Sequence, residues 1–166
     1  MKVPPEWSEF IGLLSAARVR FLIVGAHALA VHGRPRATGD LDLLVEPTER
    51  NAARVAGALR AFGFPALGRR ERDFAVPDRM ATLGRPPLRI DVMTSISGVS
   101  FAEAWRGRRR VRFGGHVVGV IGRAQFEANK RASGRPKDLL DLELLAETHR
   151  SPRDAAQRAR REPKRR

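Results

Sequence analysis

The chain has 166 residues and a mass of 18.4 kDa, a length that favours one domain and buries about two-thirds of the unfolded surface without staples. It has no cysteine, which excludes disulfide scaffolds, thiolate metal sites and cysteine nucleophiles; no apolar run approaches the roughly 20 residues of a membrane span. Thirty-two Lys and Arg against 18 Asp and Glu give a net charge of +14, which suits a polyanionic partner because basic groups set on phosphates release condensed counterions.

The excess is uneven. Eight basic residues and two acids lie between Arg150 and Arg166, so +6 of the charge sits there. Residues 1–149 are therefore expected to form the folded domain and 150–166 a basic tail. Met1-Lys2-Val3-Pro4-Pro5-Glu6 does not read as a secretory signal, and the cytoplasm is the expected compartment.

In chain order, Trp7, Phe10, Ile11 and Leu14 fall at i, i+3, i+4 and i+7, one face of a short helix opened by Pro4-Pro5. Arg20 to Val24 reads as a buried strand ending at Gly25, followed by a short helix over 26–32. A second strand is predicted over Asp40 to Glu46. Thr48 suits an N-cap, and Ala52, Val55, Leu59 and Phe62 line one face of the next helix, which Gly63 ends. Residues 64–80 read as a loop with at most one short strand. Met80 to Leu83 and Leu88 to Met93 read as neighbouring strands, and Phe101 to Trp105 as a helical turn. Val111 to Phe113 and Val117 to Ile121 suit a hairpin around Gly114-Gly115. Two helices follow, over 123–132 and from Pro136 to about Thr148. The class is mixed α/β (α+β) with one sheet.

The chemistry concentrates in Gly39-Asp40-Leu41-Asp42-Leu43-Leu44-Val45. Side chains alternate along a strand, so Asp40 and Asp42 share one face, about 6–7 Å apart. Arg89-Ile90-Asp91-Val92-Met93 sets a third acid in another apolar strand. Three carboxylates on adjacent strands would be hard oxygen ligands suited to Mg²⁺. Taken singly, the same residues also read blandly: the D-x-D as a solvated edge or capping pair, and Asp91 as a surface acid paired with Arg89. Upstream, Phe21-Leu22-Ile23-Val24-Gly25-Ala26 runs a strand into a glycine turn, where backbone amides can approach a triphosphate.

This pattern resembles the nucleotidyltransferase superfamily that includes DNA polymerase β. Val24-Gly25-Ala26, thirteen intervening residues, Asp40-Leu41-Asp42 and Asp91 follow that family's order. The stretch Val24 to Val45, with His32-Gly33, Arg36 and Thr38, looks particularly like the small bacterial minimal and abortive-infection (AbiEii-like) nucleotidyltransferases of toxin–antitoxin systems. Ala26 departs from the family's usual Gly or Ser. A second match, Lys130 to Asp141 with Gly134-Arg135-Pro136-Lys137-Asp138, is similar to a segment near the C-terminus of the same group.

The resemblance implies a nucleotidyltransferase fold over roughly residues 20–148. It implies transfer of a nucleoside monophosphate from an NTP to an acceptor hydroxyl, with Mg²⁺ or Mn²⁺. Asp40, Asp42 and Asp91 would be the metal-binding and catalytic residues. Gly25, Ala26, Arg36, Thr38, Lys130, Lys137 and Asp141 would bind the nucleotide. The implied acceptor is RNA, with a tRNA end favoured by the basic charge and the toxin-like resemblance; a protein or antibiotic hydroxyl is the alternative. A cognate antitoxin or toxin protein would be a partner. The rival reading is a non-catalytic RNA- or partner-binding protein, or a protein-modifying antitoxin, on the same fold.

Other features stay divided on the residues alone. Asp138 suits the dipole of the last helix, and Lys137 and Asp141 suit an i, i+4 pair. His27 and His32 are badly spaced for one metal and read as packing residues. Arg34 and Arg36 are loop charges or phosphate ligands. Arg106, Arg108, Arg109, Arg110 and Arg112 form either a guarded sheet edge or part of an RNA path. Ser95, Ser97 and Ser100 form no hydrolase motif.

Overall fold

The computed structural model describes residues 3–147. The expected basic tail, 150–166, and the end of the last helix near Thr148 lie outside the described residues.

Helix α1 (Pro5–Ala16) buries Trp7, Phe10, Ile11 and Leu14, the predicted face. Strand β1 (Phe21–Ile23) is buried throughout and gives way to α2 (Gly25–Val31). Strand β2 (Asp40–Val45) alternates as predicted: Leu41 and Leu43 are fully buried, whereas Asp40 and Asp42 are half-buried. Burying each leucine contributes about 1.5–3 kcal/mol, which fixes the register that keeps both aspartates on the other face.

Thr48 caps α3 (Glu49–Ala61), its hydroxyl accepting from the Asn51 amide. Buried Asn51 is a staple that periodicity did not reveal. Its Oδ1 accepts from the Arg20 amide at 2.8 Å, and its Nδ2 donates to the carbonyls of Arg20 and Glu46, both at 3.0 Å. It thereby joins the start of β1 to the end of β2.

Residues 64–80 differ from the expected loop. They form a one-turn helix, α4 (Pro65–Gly68), and a 3₁₀ turn over Glu71–Ala75 before β3 (Met80–Leu83). Pro65 suits a first helical turn, and buried Phe74 anchors the second piece; both are too short to carry a period. Strand β4 (Arg89–Met93), helix α5 (Phe101–Arg106), strands β5 (Arg109–Phe113) and β6 (His116–Val120), and helices α6 (Arg123–Ser133) and α7 (Pro136–Glu147) complete the described chain. Strand β5 starts two residues earlier than predicted, because Arg109 and Arg110 carry no apolar signal yet pair with Val120 and Gly119.

The six strands form one mixed sheet in the order β3-β4-β2-β1-β6-β5. Strands β2 and β4 run parallel, as do β1 and β6, and the other neighbours are antiparallel. Among the described residues, no helix is long and apolar enough to cross a membrane.

Candidate active site

The parallel pairing of β2 with β4 sets Asp40 opposite Arg89 and Asp42 opposite Asp91, while β3 sets Thr82 opposite Asp91. Paired residues point to the same side of a sheet, so three carboxylates from two strands meet at one face. They line a cleft of about 620 Å³. Gly25 and Ala26 line it at the β1–α2 turn, and Arg36, Thr38, Lys130 and Lys137 also reach it. Nine of the ten predicted residues therefore converge. Asp141 does not line the cleft; it is fully buried behind Arg36 and Lys130.

The turn is tight. Gly25 has φ +62°, a conformation glycine adopts without penalty, and a Cβ there would lie 2.0 Å from Asp42 Oδ2. Thr38 fastens the start of β2, its hydroxyl 3.3 Å from both the amide and the carbonyl of Asp40.

Charge is unevenly met. Asp91 is buried and accepts from the Thr82 hydroxyl at 2.8 Å. Arg89 Nη2 lies 2.9 Å from Asp40 Oδ2 and 3.1 Å from Asp91 Oδ2, so one guanidinium bridges two of the three acids. Asp40 Oδ1 is buried with no hydrogen-bond partner. Burial, then the neighbouring Asp91 and Asp40, push the Asp42 carboxyl above its ordinary range, against the opposing charges of Lys137 and Lys130.

These features decide how far a divalent cation suits the cluster. The donors are all hard oxygens; one is an orphan, and the Asp42 carboxyl is pushed above its ordinary range. Each condition is one that a cation relieves. As they stand, however, no three such side chains among the described residues converge to hold an ion. The donor chemistry thus suits a cation, while in this arrangement the charge partner of Asp40 and Asp91 is Arg89.

The opposite wall is a buried ion-pair network. Lys130 Nζ lies 2.5 Å from Asp138 Oδ1 and 2.9 Å from Asp141 Oδ2. Arg36 Nε reaches Asp141 Oδ1 at 2.9 Å, and Arg135 Nε reaches Asp138 Oδ2 at 2.7 Å. Burial pushes both carboxyls up, but hydrogen bonds from Arg135, Lys130 and Ser133 at Asp138, and from Arg36 and Lys130 at Asp141, hold them below the usual range. The local i, i+4 pair of Lys137 with Asp141 does not form, because Asp141 faces inward to Arg36 and Lys130. Lys137 is exposed at the cleft and makes no ion pair among the described residues.

Arg89, Thr82 and Asp138 hold the site in ways that the local sequence pattern only partly signals. Arg89 was legible: it stands two residues before Asp91 and so shares its face. Thr82 depended on the β3–β4 register, which spacing does not fix. Asp138 did more than serve a helix dipole. His27 and His32 are buried packing residues, and His32 Nε2 lies 2.9 Å from the Ile121 carbonyl. Ser100 caps α5 in a capping box with Glu103.

No protein-family model matches the chain, and no curated protein matches it by sequence. Solved structures do. A putative nucleotidyltransferase from Thermotoga maritima superposes with a TM-score of 0.53 at 14% identity, over 88% of this chain and 94% of that one. The fold is nucleotidyltransferase-like. An antigenic nucleotidyltransferase-like protein from Paracoccidioides brasiliensis matches with a TM-score of 0.49 at 13% identity, over 85% of this chain and 73% of that one. On the nucleotidyltransferase-like sheet of this chain, the carboxylates stand on the interior strands β2 and β4.

Proposed function

We propose that this protein is a metal-dependent nucleotidyltransferase that moves a nucleoside monophosphate from an NTP to an acceptor hydroxyl. The observation that carries the reading is the register of Asp42 with Asp91, with Asp40 on the same face, in a cleft that Lys137 also lines. Asp40, Asp42 and Asp91 would hold Mg²⁺ or Mn²⁺. The bound ion would neutralise the triphosphate and acidify the acceptor hydroxyl.

The chain's own residues account for the remaining roles. The Gly25–Ala26 turn offers backbone amides to the phosphates. Lys137 brings an unpaired charge to the β- and γ-phosphates, with Lys130, Arg36, Asp138 and Asp141 behind it as a preformed, charge-balanced support. Thr38 keeps Asp40 in place. Asp91 takes the proton of the acceptor hydroxyl as its oxygen bonds to the α-phosphorus. The bond from that phosphorus to the bridging oxygen breaks, and pyrophosphate leaves. Such chemistry depends mainly on positioning and charge neutralisation, which a small fold can supply.

RNA is the proposed acceptor, with a tRNA end first, on the strength of the +14 charge. A role in a toxin–antitoxin pair, with a cognate protein partner, is proposed on the sequence resemblance. The test is transfer of label from each of the four α-labelled NTPs to bulk tRNA, with Mg²⁺ or Mn²⁺. Label on RNA from the wild type and not from Asp40→Ala/Asp42→Ala supports the reading. Label on the protein itself moves the acceptor to polypeptide.

The Arg89 bridge favours one second reading, a non-catalytic binding protein in which this guanidinium permanently stands in for the cation. Absence of both transfer and Mn²⁺ binding would establish it.

A further inference from the structure

We propose that the β5 edge of the sheet is the docking surface for the acceptor, a single strand of RNA held by its phosphates. The inference rests on the transferase reading with an RNA acceptor, and it names where that RNA lies. Residues 106–112, Arg-Gly-Arg-Arg-Arg-Val-Arg, carry five arginines and no acid.

The first support is placement. Arg110 pairs with Gly119 and Arg112 with Val117. Ile23 pairs with both Val120 and Leu43, which sets Gly119 level with Leu22 and Leu44. Leu44 shares a face with Asp42, two residues before it. Arg110 and Arg112 therefore stand on the carboxylate face of the sheet. Arg108 joins them: a Cβ at Gly119 would meet Leu22 Cδ2 at 2.7 Å and Arg108 Cδ at 3.2 Å, so the Arg108 stem lies across that face. Strand β5 is three strands from β2, about 14 Å at the usual spacing, a span of a few nucleotides.

The second support is charge. Elsewhere arginines either pair with acids, as Arg20 does with Glu46, Arg36 with Asp141 and Arg123 with Glu127, or stand singly or in twos, as Arg69 and Arg72 do; only residues 106–112 gather five without an acid. On β5, Arg109, Arg110 and Arg112 are exposed and none forms an ion pair among the described residues. Guarding a sheet edge needs only an occasional charge, not an unbroken set.

The third support is order. Arg108 Cζ lies 4.0 Å above the Trp105 ring and its guanidinium donates to the Trp105 carbonyl, while Arg20 Cζ lies 4.7 Å from the same ring. A guanidinium held in advance loses little further entropy on meeting a phosphate. Arg110 and Arg112 repeat about every 6–7 Å along the strand, comparable with one nucleotide step of an extended single strand. The backbone-tracking basic groove of single-strand binders has this composition.

The test uses the full chain and a labelled single-stranded RNA, with anisotropy followed as a function of salt. Arg110→Gln/Arg112→Gln is compared with Arg69→Gln/Arg72→Gln, an equal charge change at exposed positions near α4. The proposal expects the β5 pair to weaken binding about tenfold and to reduce the salt slope by about one to one and a half, at roughly 0.7 per phosphate contact. The control pair should change neither. An unchanged β5 variant, or an equal loss in the control, would overturn the surface. Competition by poly-glutamate as effective as RNA would overturn RNA as its occupant. Binding of Mn²⁺ with each NTP to the same variants separates the two claims. Its loss in the wild type would fail the transferase reading, whereas its retention beside an insensitive RNA affinity fails only this surface.

Discussion

Gly25 and Asp42 touch: the carboxylate lies where a side chain on residue 25 would begin, with 2.0 Å between that Cβ position and Asp42 Oδ2. The turn that would receive phosphate and the acid that would receive the cation are thus one unit. Gly25→Ala introduces strain at φ +62° and pushes Asp42 aside. The expected result is a loss of about 1–2 kcal/mol in stability together with loss of Mn²⁺ binding. Denaturation and metal titration measure the two separately.

Asp42 itself costs stability. Burial, Asp91 and Asp40 raise its affinity for a proton. For a raised carboxyl, the stabilising contribution is fully present below the ordinary carboxylate range. It is lost as pH rises through the raised value. Asp42→Asn is therefore expected to melt a few degrees higher than the wild type at neutral pH, with the gap closing in acid. The same variant should transfer no nucleotide. A lower melting temperature at neutral pH would contradict the charge argument.

Lys130 sits on the opposite wall with the reverse sign. Asp138 and Asp141 are held below the ordinary range by their basic partners, so their contribution is present above it and lost as pH falls through the lowered values. Lys130→Met leaves two buried carboxylates short of a partner and is expected to cost about 3–5 kcal/mol. Its acid unfolding should also become less steep. A variant as stable as the wild type would show that the network contributes little.

Arg89 competes with any cation for Asp40 and Asp91. Arg89→Gln is expected to lower stability, since buried Asp91 loses a counter-charge, yet to tighten Mn²⁺ binding about tenfold, equivalent to about 1.4 kcal/mol. Weaker Mn²⁺ binding in Arg89→Gln would make Arg89 a support of the site rather than its internal competitor.

Much of this architecture was legible in the chain. The alternation of Asp40, Leu41, Asp42 and Leu43 gave the strand and its two faces, and the Trp7–Leu14 spacing gave α1, because both patterns report burial directly. The pairings were not legible. That β2 lies parallel to β4, bringing Asp91 level with Asp42, follows from long-range register and not from any local period. The Asn51 staple and the inward turn of Asp141 were hidden for the same reason: each is a polar contact made across more than 30 residues. The short pieces between 64 and 80 lacked the length for a period to show.

The most direct measurement is Mn²⁺ binding, followed by loss of the free-ion paramagnetic resonance signal, for the wild type and Asp42→Asn at neutral pH. The account predicts binding by the wild type, strengthened by an NTP and absent in Asp42→Asn. Equal binding by both proteins, or none by either with or without NTP, would contradict a cation site built on the β2 and β4 carboxylates.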